Sequence, residues 1–122
     1  MKRLSFASLL TLVAFFASSH AAEPKPESLP PGQQMYVIER DMPGLGKMSP
    51  AELKAASQQS CRVLKNLGPQ IVWDHSYVTG DKMYCVYLAP NEELVRQHAK
   101  EGGFPATAVN RVTTIISPKT AE

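Results

Sequence analysis

Ile71-Val72-Trp73-Asp74-His75-Ser76-Tyr77-Val78-Thr79-Gly80-Asp81-Lys82-Met83-Tyr84-Cys85-Val86-Tyr87-Leu88-Ala89 is the stretch that decides the fold. Two runs rich in β-branched and aromatic residues, Ile71 to Val78 and Met83 to Ala89, flank the polar segment Thr79-Gly80-Asp81-Lys82. Such residues fit a pleated, half-buried surface, and Gly80 can take the positive φ of a tight hairpin turn. The pattern predicts an antiparallel hairpin. Its loop reads as two or as three residues. One choice sets Cys85 across from Ser76, the other across from His75. A slip of one residue exchanges sheet faces, so both registers stay open here.

Each strand of this hairpin adjoins a helix pattern. Before it, Ser49-Pro50-Ala51-Glu52 combines a capping serine, a proline at the first helical position and a capping-box glutamate. Leu53, Ala56, Ser60, Val63, Leu64 and Leu67 then recur at helical spacing, and Gly68-Pro69 ends the run. Cys61, beside Ser57 and Leu64, is expected on or near the buried face. After the hairpin, Asn91 caps a second helix to about Lys100, with Leu94, Val95, His98 and Ala99 on one face and Gly102-Gly103 as its stop. Met35 to Arg40 reads as a first strand and Val109 to Ser117 as a fourth.

The order β-α-β-β-α-β is the α+β, ferredoxin-like arrangement: one four-stranded antiparallel sheet with both helices on one face. Spatial strand order 4-1-3-2 follows from that topology. The first helix then crosses the third strand, which brings Cys61 toward Cys85 provided Cys85 points to the helix side. The second helix crosses near the first strand, so His98 is expected to face Tyr36 to Arg40. Apolar residues occur at both parities of the strands, so the far sheet face is not purely solvated either. Pairing sheet to sheet with a second copy covers such a face, and a homodimer is expected.

Domain organisation reads as a leader at 1–21, a Pro-rich arm at 22–34, the folded domain at 35–118 and a frayed tail at 119–122. Lys2 and Arg3 precede an apolar run from Leu9 to Ala17, and Ser19-His20-Ala21 places small residues where a signal peptidase reads. The working protein is therefore expected outside the cytoplasm, secreted or periplasmic. Pro24, Pro26, Pro30 and Pro31 then sit among polar residues that bury too little apolar surface to offset ordering entropy. Removing Lys2 and Arg3 from the 13 basic residues leaves as many as the 11 acidic ones. No basic stripe points to nucleic acid, and no later stretch is apolar enough for a membrane span.

No nucleophile elbow, phosphate loop, zinc-protease helix or paired-cysteine motif is present. The residues with chemistry are Trp73-Asp74-His75-Ser76-Tyr77, Cys85, Tyr87 and His98. A histidine within a strand or on an apolar helix face is a packed imidazole in about half of cases. Imidazole with thiolate or carboxylate otherwise suits a transition metal. Two cysteines in an oxidising compartment also permit a Cys61–Cys85 disulfide. Asp81 is most simply a turn residue.

Trp73-Asp74-His75-Ser76-Tyr77-Val78 with Asp81 to Pro90 resembles a bacterial family, as do Tyr36 to Arg40, Glu93, and His98-Ala99 leading to Gly103-Phe104-Pro105-Ala106. The chain is similar there to domain of unknown function 4242, a nickel-binding-protein-like family of ferredoxin fold. The resemblance implies an α+β barrel built by two subunits, with nickel bound by some members. By position, Trp73, Ser76, Tyr77, Asp81, Cys85, Tyr87, Glu93 and His98 match its pattern.

Three readings follow. The first is an exported dimeric protein binding nickel or another transition metal through His75, His98 and Cys85, with Trp73, Ser76, Tyr77, Asp81, Tyr87, Glu93 and Arg40 around it. The second, by analogy of fold alone, is a small oxygenase- or isomerase-type enzyme. There Trp73, Tyr77 and Tyr87 would line a pocket and a histidine would act as general base. The third is a structural or interaction module without ligand, marked by a Cys61–Cys85 bond.

Overall fold

The computed structural model describes residues 29–122. The leader expected over 1–21 and the first part of the arm, 22–28, lie outside the described residues. The elements run β1 (Gln34–Asp41), α1 (Pro50–Leu67), β2 (Val72–Val78), β3 (Lys82–Ala89), α2 (Glu92–Gly102) and β4 (Ala108–Arg111). The sheet order is β2-β3-β1-β4 and every pairing is antiparallel, as the ferredoxin-like pattern requires. Among the described residues no helix is long and apolar enough to cross a membrane.

Local chemistry sets the helix ends. The Ser49 hydroxyl accepts from the Glu52 backbone N–H at 3.3 Å, and a Glu52 carboxylate oxygen accepts from the Ser49 backbone N–H at 2.7 Å. Those bonds, the backbone one first, hold the Glu52 carboxyl below its usual range. Asn91 caps α2 by accepting from the Leu94 backbone N–H at 2.9 Å. Gly103, at φ 70°, closes α2 in the left-handed conformation.

The hairpin takes the two-residue loop, with Thr79 and Lys82 bonded across it. Gly80 has no positive φ there, contrary to the sequence expectation. Its neighbourhood needs a different small residue: a Cβ on Gly46 would lie 3.0 Å from Gly80 Cα. The 3-10 turn Leu45–Lys47 thus packs its backbone onto the hairpin tip, with the Gly46 N–H donating to the Gly80 carbonyl at 2.9 Å.

Ser76 pairs with Cys85 and His75 with Val86, whereas Trp73 pairs with Tyr87. The shift between Trp73 and His75 leaves Asp74 as an extra residue, a β-bulge. Trp73 and Ser76 consequently share the helix-covered face, while His75 looks the other way. That covered face holds the core: Tyr36, Ile38, Cys85, Tyr87 and Ala89 from the sheet, with Val95 of α2 and Ile71 before β2.

Three expectations need correction. β4 ends at Arg111 rather than Ser117. Val112 N–H still reaches the Met35 carbonyl, but β1 begins at Gln34, so among the described residues the chain beyond has no strand beside it. Ile115 and Ile116 are left exposed. The final residues form a 3-10 turn, Pro118–Ala121, where fraying was expected. Cys61 is exposed, because the buried line of α1 runs through Ser60 and Val63.

Candidate functional site

Between α1 and the sheet lies a cavity of about 140 Å³. Leu53, Met48, Met83 and Trp73 give it apolar walls, and Arg40, Ser60, Cys85 and Tyr87 lie along its floor. Trp73 and Tyr87 stack at 6.4 Å between centroids, and the Trp73 Nε1–H donates to the Ser76 hydroxyl at 2.9 Å. The bulge at Asp74 is what lets Trp73 and Ser76 meet on one face.

Arg40 is buried at the end of β1, on the same parity as Tyr36 and Ile38. Its Nε–H donates to Cys85 Sγ at 3.3 Å and its Nη1–H to the Pro105 carbonyl at 2.6 Å. The guanidinium also lies 5.4 Å from the centroid of the Phe104 ring.

Behind this cavity, His98 is fully buried. Its Nε2 is 3.1 Å from Ser60 Oγ, which is in turn 3.1 Å from the Tyr87 hydroxyl. Tyr87 and Phe104 pack on the imidazole, at 5.0 Å and 6.0 Å between centroids. Its Nδ1 is buried without a hydrogen-bond partner among the described residues. Burial first, and then the Arg40 charge, push its pKa down to about 4, so the ring is neutral at pH 7. Burial also raises the Tyr87 phenol. His98 therefore faces Tyr87 of β3 and Ser60 of α1, with Arg40 as its nearest influence from β1.

His75 stands on the open sheet face. Its Nδ1 is 2.5 Å from Asp74 Oδ2, and the Tyr77 ring lies edge-on at 4.8 Å. Val72 and Tyr77 are exposed on this face, and Val37, Tyr84, Val86 and Leu88 are half-buried there. Lys82, on the same face, bonds Glu39 and, at 3.0 Å, Asp41; those carboxylates hold its ammonium protonated.

The structure thus divides the expected site. Arg40, Trp73, Ser76, Cys85 and Tyr87 gather around the cavity. Tyr77 lies on the opposite face, and Glu93 is exposed in the first turn of α2. Asp81 stays in the hairpin turn, where its carboxylate accepts from the Gly44 N–H at 2.9 Å. His75, His98 and Cys85 do not converge within one chain, because strand alternation puts His75 opposite to Cys85. Among the described residues no group of three or more His, Cys, Asp or Glu is placed to hold a metal ion. Neither histidine is among the residues that line the cavity; His98 reaches it through Ser60 and Tyr87, and His75 lies on the opposite face. The Cys61–Cys85 bond is not formed, since one thiol is exposed and the other buried.

Ser60 and Phe104 are the residues here to which the sequence reading gave no role at the site. Ser60 sat on the buried helix stripe as a polar residue among apolar ones, and that mismatch was the available signal. Phe104 follows the glycine stop of α2, where its N–H returns to the Ala99 carbonyl at 2.9 Å and its ring is folded back over the helix end.

Comparison with known proteins adds three findings. The family model described as "Nickel responsive protein SCO4226-like" matches residues 36–112. The match supports the nickel-related family that the sequence resembles; it does not carry the label domain of unknown function 4242. A solved structure, "Crystal structure analysis of SCO4226 from Streptomyces coelicolor A3(2)", is similar in fold, with a TM-score of 0.58 at 18% identity. That similarity covers 67% of this chain and 99% of the other. No curated protein matches the chain.

Proposed function

Since the chain belongs to the SCO4226-like family of nickel-responsive proteins, we propose that it is an exported nickel-binding protein that works as a homodimer. His75 is the imidazole that each chain offers to the ion.

One observation carries the choice of residue: the bond between His75 Nδ1 and Asp74 Oδ2 on the open face. A carboxylate accepting from Nδ1–H fixes the tautomer and leaves the Nε2 lone pair free. Metal-ligating histidines are commonly oriented by such a carboxylate. His98 is less suited, since its Nε2 is engaged by Ser60 and the ring is enclosed. Cys85 is less suited as well, with its sulfur held by Arg40. A single imidazole does not make a nickel site, so the remaining donors come from the second copy or from solvent. Pairing through the open face would cover Val72, Tyr77 and their half-buried neighbours. The leader reading places this activity outside the cytoplasm.

The test is nickel titration of untagged protein recovered from the extracytoplasmic fraction, with its intact mass and its sedimentation measured on the same sample. A mature start near Ala22, a dimer and stoichiometric nickel are expected. His75→Ala should weaken nickel binding at least about tenfold, the usual scale for losing a ligand or its orienting partner. Cys85→Ser should leave nickel binding unchanged. Wild-type protein that takes up no nickel ends the metal reading, and a monomer at working concentration ends the dimer.

A further inference from the structure

Among the described residues no carboxylate pairs with the charge on Arg40. Arg40 is 2% exposed, and none of the ion pairs among the described residues includes it. A guanidinium carries five N–H donors, and here one bonds a thiol sulfur and another a carbonyl. Buried charges are ordinarily paired, because an uncompensated one is strongly disfavoured away from water. Arg40 nevertheless lines a cavity, so the counter-ion has a place to come from.

The walls define what that anion carries. Leu45, Met48, Leu53, Met83 and Trp73 are apolar, and Arg40 is the one basic residue of the lining. An inorganic phosphate would face this wall with oxygen on every side and leave its second charge unpaired. The cavity, about 140 Å³, is close to the roughly 150 Å³ that accepts benzene in an engineered apolar core. Guanidinium and carboxylate match as planar forks. Ser60 and Tyr87 add hydroxyls to the same lining.

We propose that the cavity between α1 and the sheet binds a small apolar monocarboxylate of about benzoate size, with its carboxylate on Arg40 and its body against Leu53, Met83 and Trp73. This site lies on the face of the sheet away from His75 and does not depend on the nickel reading.

Calorimetric titration of the metal-free mature protein with benzoate, benzamide and inorganic phosphate tests it. Benzamide has the shape of benzoate without its charge. Benzoate is expected to bind at least tenfold more tightly than benzamide, and phosphate not to compete with it. Arg40→Gln should remove the preference for benzoate, and Ala56→Phe, which fills the cavity, should block both aromatic probes. The wild-type comparison stands even where a variant fails to fold. Equal binding of benzoate and benzamide, or no benzoate binding, overturns the proposal. Thiolate absorbance from Cys85 at neutral pH also overturns it, because the counter-ion would then be internal.

Discussion

Lowering the pH from 7 to 4 is expected to cost the fold about 3 kcal/mol through His98 alone. The ring is fully buried, and its pKa is pushed from 6.5 to about 4, by burial first and the Arg40 charge second. Ser60 and Glu101 act in the opposite sense without prevailing. In the unfolded chain the imidazole titrates near its ordinary value of about 6.5. Between the two values the unfolded chain holds a proton that the native one lacks, so stability falls as the pH falls. Above pH 6.5 both states are neutral and the contribution is present in full. Glu52 also loses its depressed-pKa contribution in acid, but over a lower pH range, below the ordinary carboxylate value. Urea unfolding of the wild type and His98→Met across pH 7.5 to 4.5 isolates the histidine. The two midpoint profiles should differ in slope between pH 6.5 and 4.5. Parallel profiles would show that burial of His98 does not set its protonation.

Ile38→Ala should remove about 3 to 4 kcal/mol, within the range for deleting a large aliphatic side chain from a packed core. Ile38 is 0% exposed and sits midway along β1, opposite Cys85 on one side and Val109 on the other. Its side chain belongs to the same cluster as Tyr36, Tyr87 and Val95. A domain of this size has a total stability of only about 5 to 10 kcal/mol. Its melting temperature should therefore drop by about 12 °C or more, at roughly 4–8 °C per kcal/mol. Calorimetry reads this directly. Ile115→Ala, at a site 69% exposed beyond the end of β4, is the control and should cost less than about 1 kcal/mol. A loss at Ile38 no larger than at Ile115 would mean that the cluster is not the stabilising core.

The hairpin, both helix caps and the strand order were legible because each rests on neighbours along the chain. Ser49 and Glu52 lie within one turn, and Thr79 to Lys82 close the loop among themselves. The facing of β2 was not legible. Trp73 and Ser76 differ in parity, so no strictly alternating strand puts both beneath the helices. The extra residue at Asp74 does so, and only pairing against β3 reveals it. β4 was overestimated for a related reason. Thr113 to Ile116 have the composition of a strand, but β-propensity expresses fit against a neighbour, and β1 offers none past its own start. Arg40 carried a readable sign of its burial, standing two residues beyond Ile38 on the core parity. What faces that guanidinium was not readable, since Cys85, Phe104 and Pro105 come from segments distant in sequence.

By itself the sequence determined the element order, the capped helix starts, the hairpin and hence the ferredoxin-like topology. All of these follow from backbone preferences and hydrogen bonds spanning a few residues. Tertiary structure alone decided that the two histidines part company, that Cys61 and Cys85 remain separate thiols, and that a buried arginine ends an apolar cavity. Those outcomes depend on strand register and helix rotation. Both are set by packing between segments far apart in the chain, where one residue of offset moves a side chain from the core to the open face.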